Sequence, residues 1–173
     1  IYFLIMKILY LHQYFQTPKG IYGIRSYTMA KALINSGHAV TMICGSIKNG
    51  NTGLNKPFVN GKRRGIVDNI DVIEYDLHYK NHLNYFERTK IFLKFTLYSI
   101  GTVFREDFDI IFATSTPLTI GIPGIFARWF KKKKFIFEVR DLWPELPQAM
   151  GTIKNPLILS LIKYLEWGVY FLQ

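Results

Sequence analysis

The sequence predicts an α/β fold, a doubly wound parallel sheet with helices on its faces. Three observations carry this. Apolar runs of strand length recur along the chain: "MKILYL", "HAVTMICG", "IDVIEYD", "FDIIFATS" and "KKKKFIFEV". Segments with helical spacing separate most of them, and alternation of strands and helices is the mark of parallel strands joined by right-handed crossovers. Turn residues stand where strands hand over to helices, as in "QTPKGIYG" and "STPLT".

Residues 6–11 read as a buried strand. Residues 24–36 follow as a helix, because Ile24, Tyr27, Ala30 or Lys31, and Ile34 share a face and Gly37 suits a left-handed stop. Residues 38–45 close a β-loop-α-β unit. Residues 46–69 are rich in Gly, Asn and basic groups and read as a long polar excursion, with Lys62, Arg63 and Arg64 as solvated cations. A strand at 70–76 comes next, then an aromatic-rich helix over 82–105. The strand at 108–115 leads into a helix in which Pro117 stands near the start and Pro123 should produce a kink. After the strand at 131–139, Asn155 caps a closing helix that carries Pro156 in its first turn.

The chain of 173 residues is 49% hydrophobic, enough for one domain with a sizeable core. Met6 reads as the initiator, with residues 1–5 as an upstream extension. Gln173 falls inside an apolar helical pattern, so a further domain is expected to follow. Cys44 is the single cysteine and reads as a small core residue, which points to a reducing cytoplasm. No apolar run reaches the roughly 18–20 residues of a spanning helix. The formal net charge of +10 attracts anions without saying which.

In an open parallel sheet, ligands bind beyond the carboxyl ends of the strands. The loop after the first strand enters a helix through Gly20 and Gly23, and backbone amides at a helix start bind phosphate. Arg25, one turn on, offers a fork to a phosphate or carboxylate. The alternatives are a structural turn and a solvated arginine. His12 ends the first strand, either as a site residue or as a packed histidine. In "FIFEVRDLWPELPQAMG" an apolar strand ends on Arg140 and Asp141, followed by a loop stiffened by Pro144 and Pro147 around Glu145. Charge is costly inside a sheet, so this pair belongs just past the strand end, in the crevice or as an ion pair pinning the loop.

In these loops the chain resembles the amino-terminal half of a family 4 glycosyltransferase, of the bacterial branch that builds surface polysaccharides and O-antigen and includes N-acetyl-L-fucosamine transferase-like members. The residues that carry the resemblance are "MKILYLHQYF…P…G..GIRSYTMAKALINSGHAVTMICG" and "FEVRDLWPELPQAMGTIKNPL". It implies a GT-B architecture of two Rossmann-like domains, of which residues 6–173 are the acceptor-side one. It further implies a retaining transfer from a nucleotide diphosphate sugar to a polyprenyl-diphosphate-linked saccharide, with no cofactor and no essential metal. By the resemblance Gly23, and with it Gly20, approaches the donor diphosphate, Arg25 is the arginine of the Arg-Ser-Tyr, and Asp141 and Glu145 are the acidic residues facing the cleft. Relatives carry adjacent glycines before that Arg-Ser-Tyr, where this chain has Ile21-Tyr22-Gly23-Ile24. The resemblance places a donor-holding domain with paired glutamates beyond residue 173, so the fragment alone should be inactive.

The 82–105 helix interleaves Tyr85, Phe86, Phe92, Phe95, Tyr98 and Phe104 with Arg88, Lys90, Lys94 and Arg105. Such a helix can lie in an anionic membrane interface from the cytoplasmic side, or pack on the sheet with a solvated edge. Three other readings compete. A nucleic-acid module is opposed by scattered cations and no binding motif. An epimerase or dehydrogenase requires Gly-x-Gly-x-x-Gly and Tyr-x-x-x-Lys, which are absent. A non-catalytic acceptor- or membrane-binding fragment remains the alternative.

Overall fold

The computed structural model describes residues 5–80 and 83–172; residues 1–4 of the expected extension lie outside them. The strands are β1 (Lys7–Leu11), β2 (Ala39–Ile47), β3 (Lys62–Val67), β4 (Ile70–Tyr79), β5 (Ile110–Thr114) and β6 (Lys134–Glu138). They form one sheet in the order β3-β4-β2-β1-β5-β6. Every pairing is parallel except β3 with β4. In the central register Leu9 stands between Thr41 of β2 and Ile111 of β5. Strand β1 is covered on both faces, with Leu9, Tyr10 and Leu11 at most 1% exposed, which is why its sequence is continuously apolar.

Helix α1 (Arg25–Asn35) covers one face of the sheet over Ile8, Tyr10, Val40 and Met42. The other face carries a layer of α2 (Tyr85–Arg105), α3 (Gly121–Phe130) and α5 (Pro156–Leu172) over Leu9, Leu11, Ile43, Ile111, Phe135 and Phe137. A short helix, α4 (Glu145–Ala149), lies in the segment after β6. The expected boundary signals operate: Gly37 ends the α1 turn at φ 90°, and the Asn155 side chain accepts from the Leu157 amide at 2.9 Å. Asn84 and Glu87 add a reciprocal capping box to α2. Pro123 does not kink a helix. The chain makes a 3₁₀ turn at Leu118–Ile120, α3 starts at Gly121, and Pro123 falls in its first turn, where a missing N–H costs nothing.

The region 46–69 departs most from the sequence reading. Its last part is β3, paired antiparallel with β4 through a two-residue turn at Asp68 and Asn69, both left-handed at φ 49° and 69°. That is the backbone of a tight hairpin. Its arginines are not merely solvated. Arg64 Nε donates to Asp71 Oδ1 at 2.9 Å, and its other nitrogens reach Glu106 at the end of α2. Arg63 Nε donates at 2.8 Å to Glu74, a carboxylate 2% exposed that also accepts from Thr52.

The chain leaves β1 toward β2 and β4, then crosses back through α2 to place β5 on the other side of β1. The strand order therefore reverses between β1 and β5, which opens a crevice at their carboxyl ends.

Removing one partner of a buried pair strands the other charge. Arg63→Leu should therefore lose about 3–5 kcal/mol of stability in urea unfolding, and Arg63→Met with Glu74→Gln should recover most of it. A loss below about 1 kcal/mol for the single variant would show that the pair does not hold the hairpin.

Candidate functional site

The loop from β1 to α1 forms one wall of the crevice. The His12 amide donates to the Ile43 carbonyl at 3.0 Å, which extends the β1–β2 ladder one residue past the strand. The His12 ring is buried, and its Nδ1 lies 2.7 Å from the Ser26 hydroxyl in the first turn of α1. Burial, helped by the Arg140 cation, holds its pKa down at about 4, against a smaller opposing pull from Glu138. At neutral pH His12 is an uncharged imidazole.

The two loop glycines do different things. A side chain at Gly20 would meet Gln16 Oε1 at 2.1 Å, so Gly20 lets the loop close on a buried glutamine. A side chain at Gly23 would meet nothing within 4 Å, because Gly23 faces the cleft. Helix α1 then begins at Arg25 with Ile24 as N-cap, no side-chain cap and no acidic residue in its first turn. Its first amides keep their donors and the positive end of the helix dipole.

The other wall comes from β5 and β6. The Ser115 hydroxyl, fully buried, accepts from the backbone amides of Arg140 at 2.6 Å and Asp141 at 3.3 Å, which fixes the segment after β6 against the end of β5. Thr116 sits at φ 93°, a backbone region that β-branched residues rarely occupy, and donates its hydroxyl to Asp141 Oδ2. Glu138 ties the two walls together. Its Oε1 accepts from Arg25 Nε at 2.8 Å and from the terminal guanidinium nitrogen, and its Oε2 accepts from the Thr114 hydroxyl at 2.9 Å.

Between the walls is a cleft of about 330 Å³ lined by His12, Tyr14, Tyr22, Gly23, Arg25, Ile47, Tyr79, Thr116 and Arg140. The Tyr14 and Tyr79 rings meet edge to face at 5.0 Å. Burial, then the proximity of Tyr79, pushes the Tyr14 hydroxyl far above its usual pKa, so it stays a protonated donor. The lining holds two guanidinium groups, an aromatic side and no carboxylate. Such a lining suits an anion joined to an apolar or ring-shaped group.

Of the residues named from sequence, His12, Gly23, Arg25 and Arg140 share this cleft. Asp141 stands behind it, joined through Thr116. Gly20 lies against Gln16, outside the lining. Glu145 is the first residue of α4, exposed, and its charge acts on Glu166 and Tyr170 of α5 rather than on the cleft. Glu138, Ser115, Thr116, Tyr14 and Tyr79 join the site only through the fold. A polar end to an otherwise alternating strand marked Glu138; nothing in the pattern marked the tyrosines. Among the described residues no cluster of His, Cys, Asp and Glu has the makings of a metal site.

No family model matches the chain, and no curated protein matches it by sequence. Among solved structures it is similar to the catalytic domain of starch synthase IV from Arabidopsis thaliana, bound to ADP and acarbose. The TM-score is 0.60 at 12% identity, over 79% of this chain and 34% of that one. The chain has the fold of a GT-B glycosyltransferase domain. This chain spans about a third of the starch synthase chain.

Burial of neutral His12 makes acid stability a test of the site. The unfolded imidazole binds its proton near pH 6.5, the folded one near 4. The unfolded state therefore binds more protons in that window. Stability is full above pH 6.5 and falls by about 3 kcal/mol on going down to pH 4. In His12→Asn this part of the pH dependence should vanish, as read by urea unfolding at pH 7 and pH 4.5. A His12 imidazole titrating near 6.5 by NMR would contradict the burial.

Proposed function

We propose that this chain is the acceptor-side half of a retaining glycosyltransferase that moves a sugar from a nucleotide diphosphate donor to a lipid-linked saccharide. The observation that carries the reading is the cleft itself. At the switch point of a GT-B-type sheet, Gly23, the uncapped start of α1, Arg25 and Arg140 converge with no carboxylate in the lining. The starch synthase domain of the same fold binds ADP and acarbose, a nucleotide diphosphate and a saccharide. The Arg-Asp-Leu-Trp-Pro-Glu motif supports the bacterial surface-polysaccharide branch and a polyprenyl-diphosphate acceptor.

In this reading the bond between the anomeric carbon and the diphosphate oxygen breaks through an oxocarbenium-like state. The electron pair leaves with the diphosphate, where the α1 amides and the two arginines stabilise the developing charge. The acceptor hydroxyl attacks from the same face, and its proton passes to a leaving phosphate oxygen, so configuration is retained. Neutral His12 and the protonated Tyr14 offer hydrogen bonds to the sugar. Asp141, behind the cleft wall, orients the acceptor through Thr116, whose hydroxyl it holds. Glu145 meets a part of the acceptor that extends past the cleft toward α5. The donor is completed by a second domain, so transfer belongs to the two-domain protein, while residues 6–173 alone bind the acceptor.

The test is transfer by the two-domain protein from a panel of nucleotide sugars to polyprenyl-diphosphate saccharide. Asp141→Ala should lower kcat by about a hundredfold, the scale of a lost orienting contact. Gly23→Ala should fold like the parent, since its added methyl meets nothing, yet raise KM for the donor. Activity of Asp141→Ala within a few fold of the parent would remove the role given to that residue.

A further inference from the structure

The edge of the sheet opposite β6 carries a second recess. It lies between β3, the loop before it and the last turn of α2, and encloses about 490 Å³, a volume in the range of small-molecule sites. Ile73 and Tyr75 of β4 form its floor, with Pro57 and Val59 on one side and Thr102 and Arg105 on the other. Tyr75 stands four residues before Tyr79, so the groove is about 13 Å down the strand from the cleft. The two share no lining residue.

The loop that walls the groove is held in place. Asn60 and Gly61 are both left-handed, at φ 51° and 74°, and turn the chain so that the Val59 amide donates to the Lys62 carbonyl at 2.9 Å. The Gly61 carbonyl accepts from the Asp76 amide at 2.9 Å, which ties this turn to β4. The Arg63 guanidinium stands 4.4 Å over the Phe58 ring and donates to the Lys56 carbonyl at 3.1 Å. On the helix side, the Tyr75 and Thr102 hydroxyls bond across the seam between sheet and α2. Walls fixed in advance spare a ligand the cost of ordering them.

The charges of the lining do not cancel. Arg63 is matched by buried Glu74, and Arg64 by Asp71 and by Glu106, the one carboxylate in the lining. Lys56, Lys62 and Arg105 have no acidic partner among the described residues. Arg105 donates Nε to the Gly101 carbonyl of its own helix at 2.9 Å and keeps its terminal nitrogens. Solvated cations on an open surface stand apart in water. Here two lysines and an arginine line one recess from its two sides, over an apolar floor that concentrates their field.

The number of unmatched cations indicates the anion. A carboxylate brings one charge and two oxygens. A phosphomonoester brings about 1.5 to 2 negative charges at neutral pH and three acceptor oxygens, one for each unmatched cation. The rest of the recess, above Ile73 and Tyr75, is apolar and larger than a bare phosphate fills. We propose that the groove between β3 and the end of α2 binds a soluble phosphomonoester carried on a ring, a sugar phosphate or a nucleoside monophosphate, with its phosphate among Lys56, Lys62 and Arg105 and its ring on the apolar floor. The site is separate from the cleft, and the proposal stands whether or not the chain takes part in glycosyl transfer.

The test is an amide chemical-shift titration of the chain with AMP, glucose 1-phosphate, inorganic phosphate and adenosine. At least one of the two phosphomonoesters should shift Asn60, Gly61, Lys62, Thr102 and Arg105 saturably, and the tighter of them identifies the ring. Inorganic phosphate should bind there roughly tenfold more weakly, and adenosine should leave these amides unmoved. Lys62→Ala with Arg105→Ala, at exposed positions away from the buried Arg63–Glu74 pair, should keep the circular dichroism of the parent and weaken binding by roughly tenfold or more. Arg140→Ala, in the cleft, should leave the groove shifts in place. Absence of saturable groove shifts with both phosphomonoesters would overturn the proposal. So would a folded Lys62→Ala/Arg105→Ala variant that binds like the parent, or adenosine binding in the groove as tightly as AMP.

Discussion

The Glu138 carboxylate is the constraint on which the site's geometry rests. It sits at the end of β6, mostly shielded, with one oxygen on Arg25 and the other on Thr114. Arg25 belongs to α1 and follows β1, so this contact closes the crevice that the reversal of strand order opens. An ion pair with a largely exposed arginine adds little to stability, since solvent screens it. Its effect is positional. A guanidinium held in place by one carboxylate still has donors left for a ligand, and it stands next to Arg140 and the first amides of α1.

Around that contact the molecule keeps negative charge out of the cleft. Glu138 is engaged by Arg25, Asp141 by Thr116, and the nearest titratable ring, His12, is held neutral by burial. What remains toward the cleft are donors: two guanidiniums, backbone amides and the protonated Tyr14 hydroxyl. A pocket made of donors in a partly desolvated crevice favours a multiply charged anion over a neutral sugar alone. The basic groove between β3 and the end of α2 is a separate feature and shares no lining residue with the cleft.

Much of this was legible in the sequence where local physics decides. The parallel strands read clearly because burial on both faces makes them apolar throughout, and the helix ends read clearly because Gly37, Asn155 and Pro156 act on their own neighbours. Strand β3 escaped because an antiparallel edge strand with "KRR" in it looks like a charged loop; only the Asp68–Asn69 pair, both left-handed, marked the hairpin. The Arg25–Glu138 contact joins residues 113 apart, and no pattern within either segment announces it. The placement of Glu145 away from the cleft follows from α4, a five-residue helix containing Pro147 that reads as loop. The aromatic periodicity of α2 was visible, but which side faces out depends on where α3 and the sheet stand.

The central claim is that the rim at the β1–β5 switch grips a diphosphate. The most direct measurement is the backbone amide chemical-shift map of the chain on addition of inorganic pyrophosphate. The account predicts saturable shifts at Gly23, Ile24, Arg25 and Ser26, together with Thr116 and Arg140 across the cleft. Shifts confined to the Lys62–Arg64 stretch of β3, or no saturable shifts at all, would contradict it.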